Sequence, residues 1–141
     1  MRATAREIGQ AARESGVKVP TIRYYEEIGL MTAPPRSDGN RRLYDDGHVR
    51  RLRFIRHARE LGFDIGPIRE LLALADRPDQ PCADADRIAR SHLDAIDDRI
   101  ARLTALRAEI GRMTDCTHDS IGQCRVIEVL ADHDKCMADA H

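Results

Sequence analysis

Four cysteines, Cys82, Cys116, Cys124 and Cys136, all fall in the second half of a 141-residue chain. Cys116 and Cys124 flank the seven residues THDSIGQ, a loop short enough to bring two thiolates onto one ion. Soft thiolate donors suit Cu(I), Zn, Cd, Hg and Pb, so the pair reads as a clip for a thiophilic metal. His118 lies inside that loop, where an imidazole either makes the site tetrahedral or simply faces water. His133 and Cys136 form a further pair of a kind more often left unligated, and Asp115 and Asp119 are loop carboxylates that usually stay solvated. The same cysteines also fit burial as small apolar side chains, or oxidation of Cys116 with Cys124 to a disulfide. A nucleophilic Cys116 with His118 or His92 as base fits poorly, because neighbours in a loop make a poor dyad and no oxyanion-hole glycine run follows; the chain does not read as an enzyme. Met1 to Gln10 is polar and mixed in charge, and no apolar run approaches a membrane span, which suggests a cytoplasmic protein and metal or redox use of cysteine.

Positioning these thiols falls to the elements around them. From Asp84 to Met113 the only helix-weakening residue is Gly111, so one helix of about 45 Å is expected at 1.5 Å per residue. Ile96, Leu103 and Ile110 recur at heptad intervals, as do Leu93 and Ile100, with Leu106 and Met113 following after a shift. Asp94, Asp97, Asp98, Arg99 and Arg102 take the flanks. Such a seam needs a partner, and antiparallel or parallel pairing with a second copy supplies one. In an antiparallel pair the start of one helix lies beside the end of the other, so the partner's Cys82 would approach Cys116 and Cys124. Arg125 to Leu130 reads as one or two helical turns, with a frayed tail after Asp132.

The N-terminal half is different in kind. Net charge is −1, yet Met1 to Arg77 carries 15 basic against 11 acidic residues, and the remainder 8 against 13. A basic reader joined to an acidic region, with Arg far outnumbering Lys, suits forked contacts to phosphate and base edges. A helix over Thr4 to Glu14 stops at Ser15-Gly16, and a second opens at Pro20 and ends at Gly29, as in a helix-turn-helix. Thr32 to Asn40 is rich in turn formers, and Arg41 to Tyr44 is extended, which together predict a hairpin wing. A helix from Asp45 has Val49, Leu52, Phe54 and Ile55 as its apolar stripe and closes at Gly62. Another begins after Asp64, turns Ile65, Ile68, Leu71 and Leu72 inward, and breaks at Arg77 to Pro81. Arg50, Arg51 and Arg53 are divided evenly between a solvated face and a DNA role.

The run TIRYYEEIGL, then PPRSDGNRRLY, the RPDQPC linker, the long helix and the cysteine loop together resemble the mercury-resistance-regulator (MerR) family, in order, up to about Leu130. The resemblance implies an all-α fold with a small β wing. Residues 1–76 would form a winged helix-turn-helix region, 77–83 a linker, 84–113 an antiparallel coiled-coil dimerisation helix, and 114–141 a metal-binding loop, short helix and tail. It implies a metal-responsive transcription activator that binds promoter DNA as a homodimer, works with RNA polymerase, and realigns promoter elements by bending and untwisting the duplex. Thr21, Arg23, Tyr25, Arg36, Asn40, Arg42, Tyr44, Arg56 and Arg59 are the expected DNA contacts, with Tyr24 the tyrosine assigned to the core. Cys82, Cys116, Cys124 and His118 are the expected metal ligands. Within the family, serine at the Cys82 position accompanies singly charged copper, silver or gold, and cysteine accompanies divalent zinc, cadmium, lead or mercury. Cys82 therefore points to a divalent ion, although the seven-residue loop is closer to that of copper sensors and keeps Cu(I) as the alternative. Family members that bind organic effectors usually carry a large added C-terminal domain, and few residues follow Met113. An iron–sulfur redox branch needs four closely spaced cysteines, which are absent.

Overall fold

The computed structural model describes residues 5–114 and 120–132. Its N-terminal compact unit extends to Ile88, and a second unit begins at Ala89.

Helix α1 (Ile8–Ser15) begins later than the periodicity suggests because Arg6 is extended. The Arg6 amide donates to the Tyr44 carbonyl at 2.9 Å and the Tyr44 amide returns the bond at 2.7 Å, so the backbone that would extend α1 pairs with the wing instead. Gly16 ends α1 at φ 75°, its amide bonded to the Ala12 carbonyl, a left-handed cap that glycine adopts without strain. Helix α2 (Val19–Glu27) follows at once, with Pro20 in its first turn, where a missing N–H leaves nothing unpaired. Gly29, at φ 81°, turns the chain away, and the Leu30 and Met31 amides both close on the Tyr25 carbonyl.

The expected wing is present as a tight hairpin rather than as long strands. Arg36 pairs with Arg42, and the Ser37 amide bonds the Arg41 carbonyl at 2.7 Å. Asn40 takes the left-handed position at φ 62°, a conformation its short polar side chain tolerates. Helix α3 (Asp46–Glu60) then starts on a capping box: the Asp45 carboxylate accepts from the His48 amide at 2.9 Å, and His48 Nδ1 accepts from the Asp45 amide. Its buried stripe is Val49, Leu52, Ile55 and Ala58. Phe54, one residue and so about 100° from Ile55, lies off that stripe and stays partly exposed. Helix α4 (Ile65–Ala75) buries Ile68 and Leu72 against the same core, which also takes in Ala11, Ile22, Tyr25, Leu30, Met31 and Tyr44.

Helix α5 (Ala83–Thr114) runs 32 residues, about 48 Å at 1.5 Å per residue. Asp84 and Asp86 in its first turn and Arg112 in its last oppose the helix dipole favourably. Its first turns belong with the N-terminal unit, where Arg87 reaches Glu70 of α4 at 3.9 Å. In the second unit Glu109, which pairs with Arg112, and Met113 are buried, whereas Leu93, Ile96, Ile100, Leu103 and Ile110 are 37% to 61% exposed. A single 3-10 turn (Ile121–Gln123) leads to α6 (Arg125–Ala131), whose Val129 is buried. Among the described residues no helix is long and apolar enough to cross a membrane.

Candidate nucleic-acid interface and thiol positions

An open groove runs between α2, the wing and the start of α1. Arg23, Arg36, Asn40 and Arg42 line it together with Arg41, so four arginines and an amide converge where the sequence places them apart. Three carboxylates, Glu7, Glu26 and Glu27, share the groove and hold part of this charge. Arg41 Nη1 lies 3.0 and 3.2 Å from the two Glu7 oxygens, both side chains being well exposed, and Arg36 Nη1 donates to the Asn40 carbonyl at 3.0 Å. A second, shallower groove brings Thr21, Arg56 and Arg59 together with Lys18 and Gly16 at the start of α2. There Arg56 pairs with Glu60 at 3.2 Å, and Arg59 donates to the Phe63 carbonyl at 2.9 Å. Lys18 was not among the expected contacts; its place one residue before α2 is the signal that marks it.

Two of the expected contacts are core residues. Tyr25 is 7% exposed and Tyr24 is 49% exposed, the reverse of the assignment made from sequence. Tyr25 stands three residues after Ile22, which is fully buried, so the two share the inward face of α2 while Tyr24 turns outward. Tyr44 is fully buried, with its hydroxyl donating to Glu26 Oε1 at 2.5 Å. Burial, reinforced by the Glu26 carboxylate, pushes the Tyr44 ionisation well above its ordinary value, which keeps the hydroxyl protonated. Tyr44 is thus enclosed, whereas Tyr25 keeps a small share of the groove that Thr21, Arg56 and Arg59 line.

The arginines of α3 divide as well. Arg53 donates twice to the Glu14 carbonyl at the end of α1, and Arg51 Nε donates to the Leu30 carbonyl at 2.8 Å. On α4, Arg69 reaches the Ile28 carbonyl at the end of α2 at 2.7 Å. The Glu14 and Ile28 carbonyls stand at helix ends that leave them without an intrahelical partner, and the Leu30 carbonyl lies in the turn after α2, so Arg51 and Arg53 fasten the helix-turn-helix. Arg50 remains exposed.

Of the expected metal ligands, Cys116 and His118 lie outside the described residues, as do Asp115, Asp119, His133 and Cys136. Cys82 and Cys124 are free thiols, the first exposed and the second partly so. Both occupy helix starts: the Asp86 amide bonds the Cys82 carbonyl at 2.9 Å, and the Glu128 amide bonds that of Cys124 at 3.0 Å. Among the described residues no three Cys, His, Asp or Glu side chains of one chain form a metal-sized cluster.

A helix-turn-helix with a wing and an arginine-lined groove defines a DNA-binding regulator. Residues 6–75 match the family described as MerR HTH family regulatory protein, and residues 49–113 match MerR, DNA binding. The chain is 37% identical over 128 residues to the HTH-type transcriptional regulator ZntR of Escherichia coli, covering 87% of this chain and 90% of that protein. It is 39% identical over 126 residues to the HTH-type transcriptional regulator HmrR of Rhizobium leguminosarum, covering 89% and 97%. Among solved structures, a transcription regulator of Ralstonia metallidurans in complex with lead(II) superposes with a TM-score of 0.78 at 33% identity, covering 89% of this chain and 98% of that one. The chain belongs to the MerR family of transcription regulators, and these relatives are regulators, not enzymes.

Proposed function

We propose that the protein is a homodimeric, metal-responsive transcription regulator in which Cys82 of one protomer and Cys116 and Cys124 of the other hold one thiophilic divalent ion. The observation that carries this reading is the pairing of an uncovered apolar row with thiols placed at helix starts. Leu93, Ile96, Ile100, Leu103 and Ile110 repeat along α5 on a face that water cannot favour, and a second copy of α5 is the economical cover. Cys82 immediately precedes α5 and Cys124 follows it, so an antiparallel pair of these helices brings one protomer's Cys82 toward the other's loop.

Three thiolates carry the charge and coordination number that Zn, Cd, Pb or Hg gains from, and His118 would add a fourth ligand. The lead-bound structure and the relatives named as heavy-metal-dependent regulators support a soft ion. The dimer places two arginine-lined grooves on promoter DNA, and metal binding alters the bend and twist of that duplex so that RNA polymerase engages it. Titration of reduced protein with cadmium, followed by thiolate-to-metal charge-transfer absorption, tests the reading. Saturation at a fixed ratio of ion to dimer, lost in Cys116→Ser, is expected; no charge-transfer band in the wild type overturns it. A tighter complex with copper(I) than with any divalent ion would transfer the assignment to the monovalent branch.

A further inference from the structure

A carboxylate stands in the groove where a polyanion is to dock. Glu26 lies in the last turn of α2, its side chain is 8% exposed, and both its oxygens are taken by residues of the wing. Oε1 accepts from the Tyr44 hydroxyl at 2.5 Å, and Oε2 pairs with Arg42 Nη1 at 3.3 Å. Tyr44 is also the residue whose backbone joins the wing to Arg6, and Arg42 is the residue that pairs across the hairpin with Arg36. The wing root therefore meets the recognition helix through one buried carboxylate and two donors.

We infer that Glu26 is a positioning residue for DNA binding, tying the wing to α2 and aiming the Arg42 guanidinium, a third exposed, at a backbone phosphate. The inference rests on the DNA-binding reading and goes beyond it by giving an acidic side chain a favourable part in binding a polyanion. Two effects of opposite sign compete at this position. By charge alone, a carboxylate near phosphates repels them, so its neutralisation tightens binding; at 0.1 M salt that repulsion is screened over about 10 Å. By position, losing the carboxylate frees Arg42 and loosens the wing, which removes a phosphate contact and weakens binding. A charge-assisted hydrogen bond to a buried carboxylate outweighs a screened repulsion, so the positional effect wins.

The test uses a duplex that the wild-type protein enriches from a random-sequence pool, with anisotropy titrations over a salt series for Glu26→Gln, Arg42→Ala and the double variant. Glu26→Gln is expected to weaken binding on the order of 10-fold and to make the log-log salt slope shallower by about 0.9, the loss of one phosphate contact. The double variant should bind no more weakly than Arg42→Ala alone, because Glu26 acts through Arg42. Tighter binding by Glu26→Gln, an unchanged slope, or additive losses in the double variant overturns the inference. Should Glu26→Gln fail to fold, Glu26→Asp keeps the charge but draws the carboxylate back from Arg42, and the same weakening with a shallower slope is required of it. Failure of the wild-type protein to enrich any duplex would instead count against the DNA-binding reading itself.

Discussion

The guanidinium of Arg53 on α3 closes the end of α1 by donating twice to the Glu14 carbonyl, from Nε at 3.1 Å and from Nη2 at 2.9 Å. The contact is exposed, so its contribution is modest, roughly 1 kcal/mol. Arg53→Ala should lower the stability of the N-terminal unit by about that amount and leave the salt slope of DNA binding unchanged, since no phosphate contact is lost. Chemical denaturation and a salt series check the two halves separately. A shallower slope without loss of stability would make Arg53 a phosphate ligand instead.

Gly16 is pressed from two sides. Its φ of 75° is unfavourable for any side chain, and an added Cβ would stand 2.6 Å from Arg56 Nη1. Gly16→Ala should cost about 1 kcal/mol from the backbone alone. Displacing Arg56 from its groove adds weakened DNA binding. With Arg56→Ala already present, the binding defect of Gly16→Ala should disappear while the loss in Tm persists.

Asp45 gives the fold a sensitivity to acid. Its carboxyl is held below the ordinary value of 3.8, first by the hydrogen bond from the His48 amide at the start of α3. A depressed carboxyl stabilises the fold above its unfolded value and loses that contribution as pH falls through its lower folded value. The α3 cap is therefore complete near neutrality and fades below 3.8. Asp45→Asn keeps an acceptor without a titrating proton, so Tm measured across this acid range should fall less steeply than in the wild type. Asp45→Ala should cost about 1 kcal/mol near neutral pH.

Much of the fold is legible in the sequence because its punctuation is chemical. Gly16, Pro20 and Gly29 bound the helix-turn-helix, and the absence of Gly and Pro from Asp84 to Glu109 sets α5. The errors have physical causes. Arg6 left helical geometry for a backbone pair with Tyr44, a long-range bond that local propensity does not register. Tyr24 and Tyr25 were exchanged although Ile22, three residues before Tyr25, supplies the periodicity that separates them. Tyr44 looked like a wing contact because its extended neighbours are basic, yet Glu26 draws its hydroxyl inward. The arginine groove was legible residue by residue. That Glu26 organises it was not, since partners 16 and 18 positions apart have no sequence signature.

The exposed row on α5 predicts a dimer that one charge will break. Leu103→Asp puts an unpaired carboxylate into the proposed seam and should weaken association on the order of 100-fold or more. Sedimentation velocity should show a monomer with undiminished helical circular dichroism. A Leu103→Asp protein that remains dimeric would mean that another surface joins the protomers.

The shared metal site is tested most directly by mixing two defective chains. In a heterodimer of Cys82→Ser with Cys124→Ser, one loop keeps Cys116 and Cys124 and faces an intact Cys82 of the partner, while the second site lacks both Cys82 and Cys124. Native mass spectrometry with cadmium or lead(II) under reducing conditions should find one tightly held ion in that heterodimer and none in either parent homodimer. A heterodimer as empty as its parents would place Cys82, Cys116 and Cys124 in one chain's own site and contradict the account.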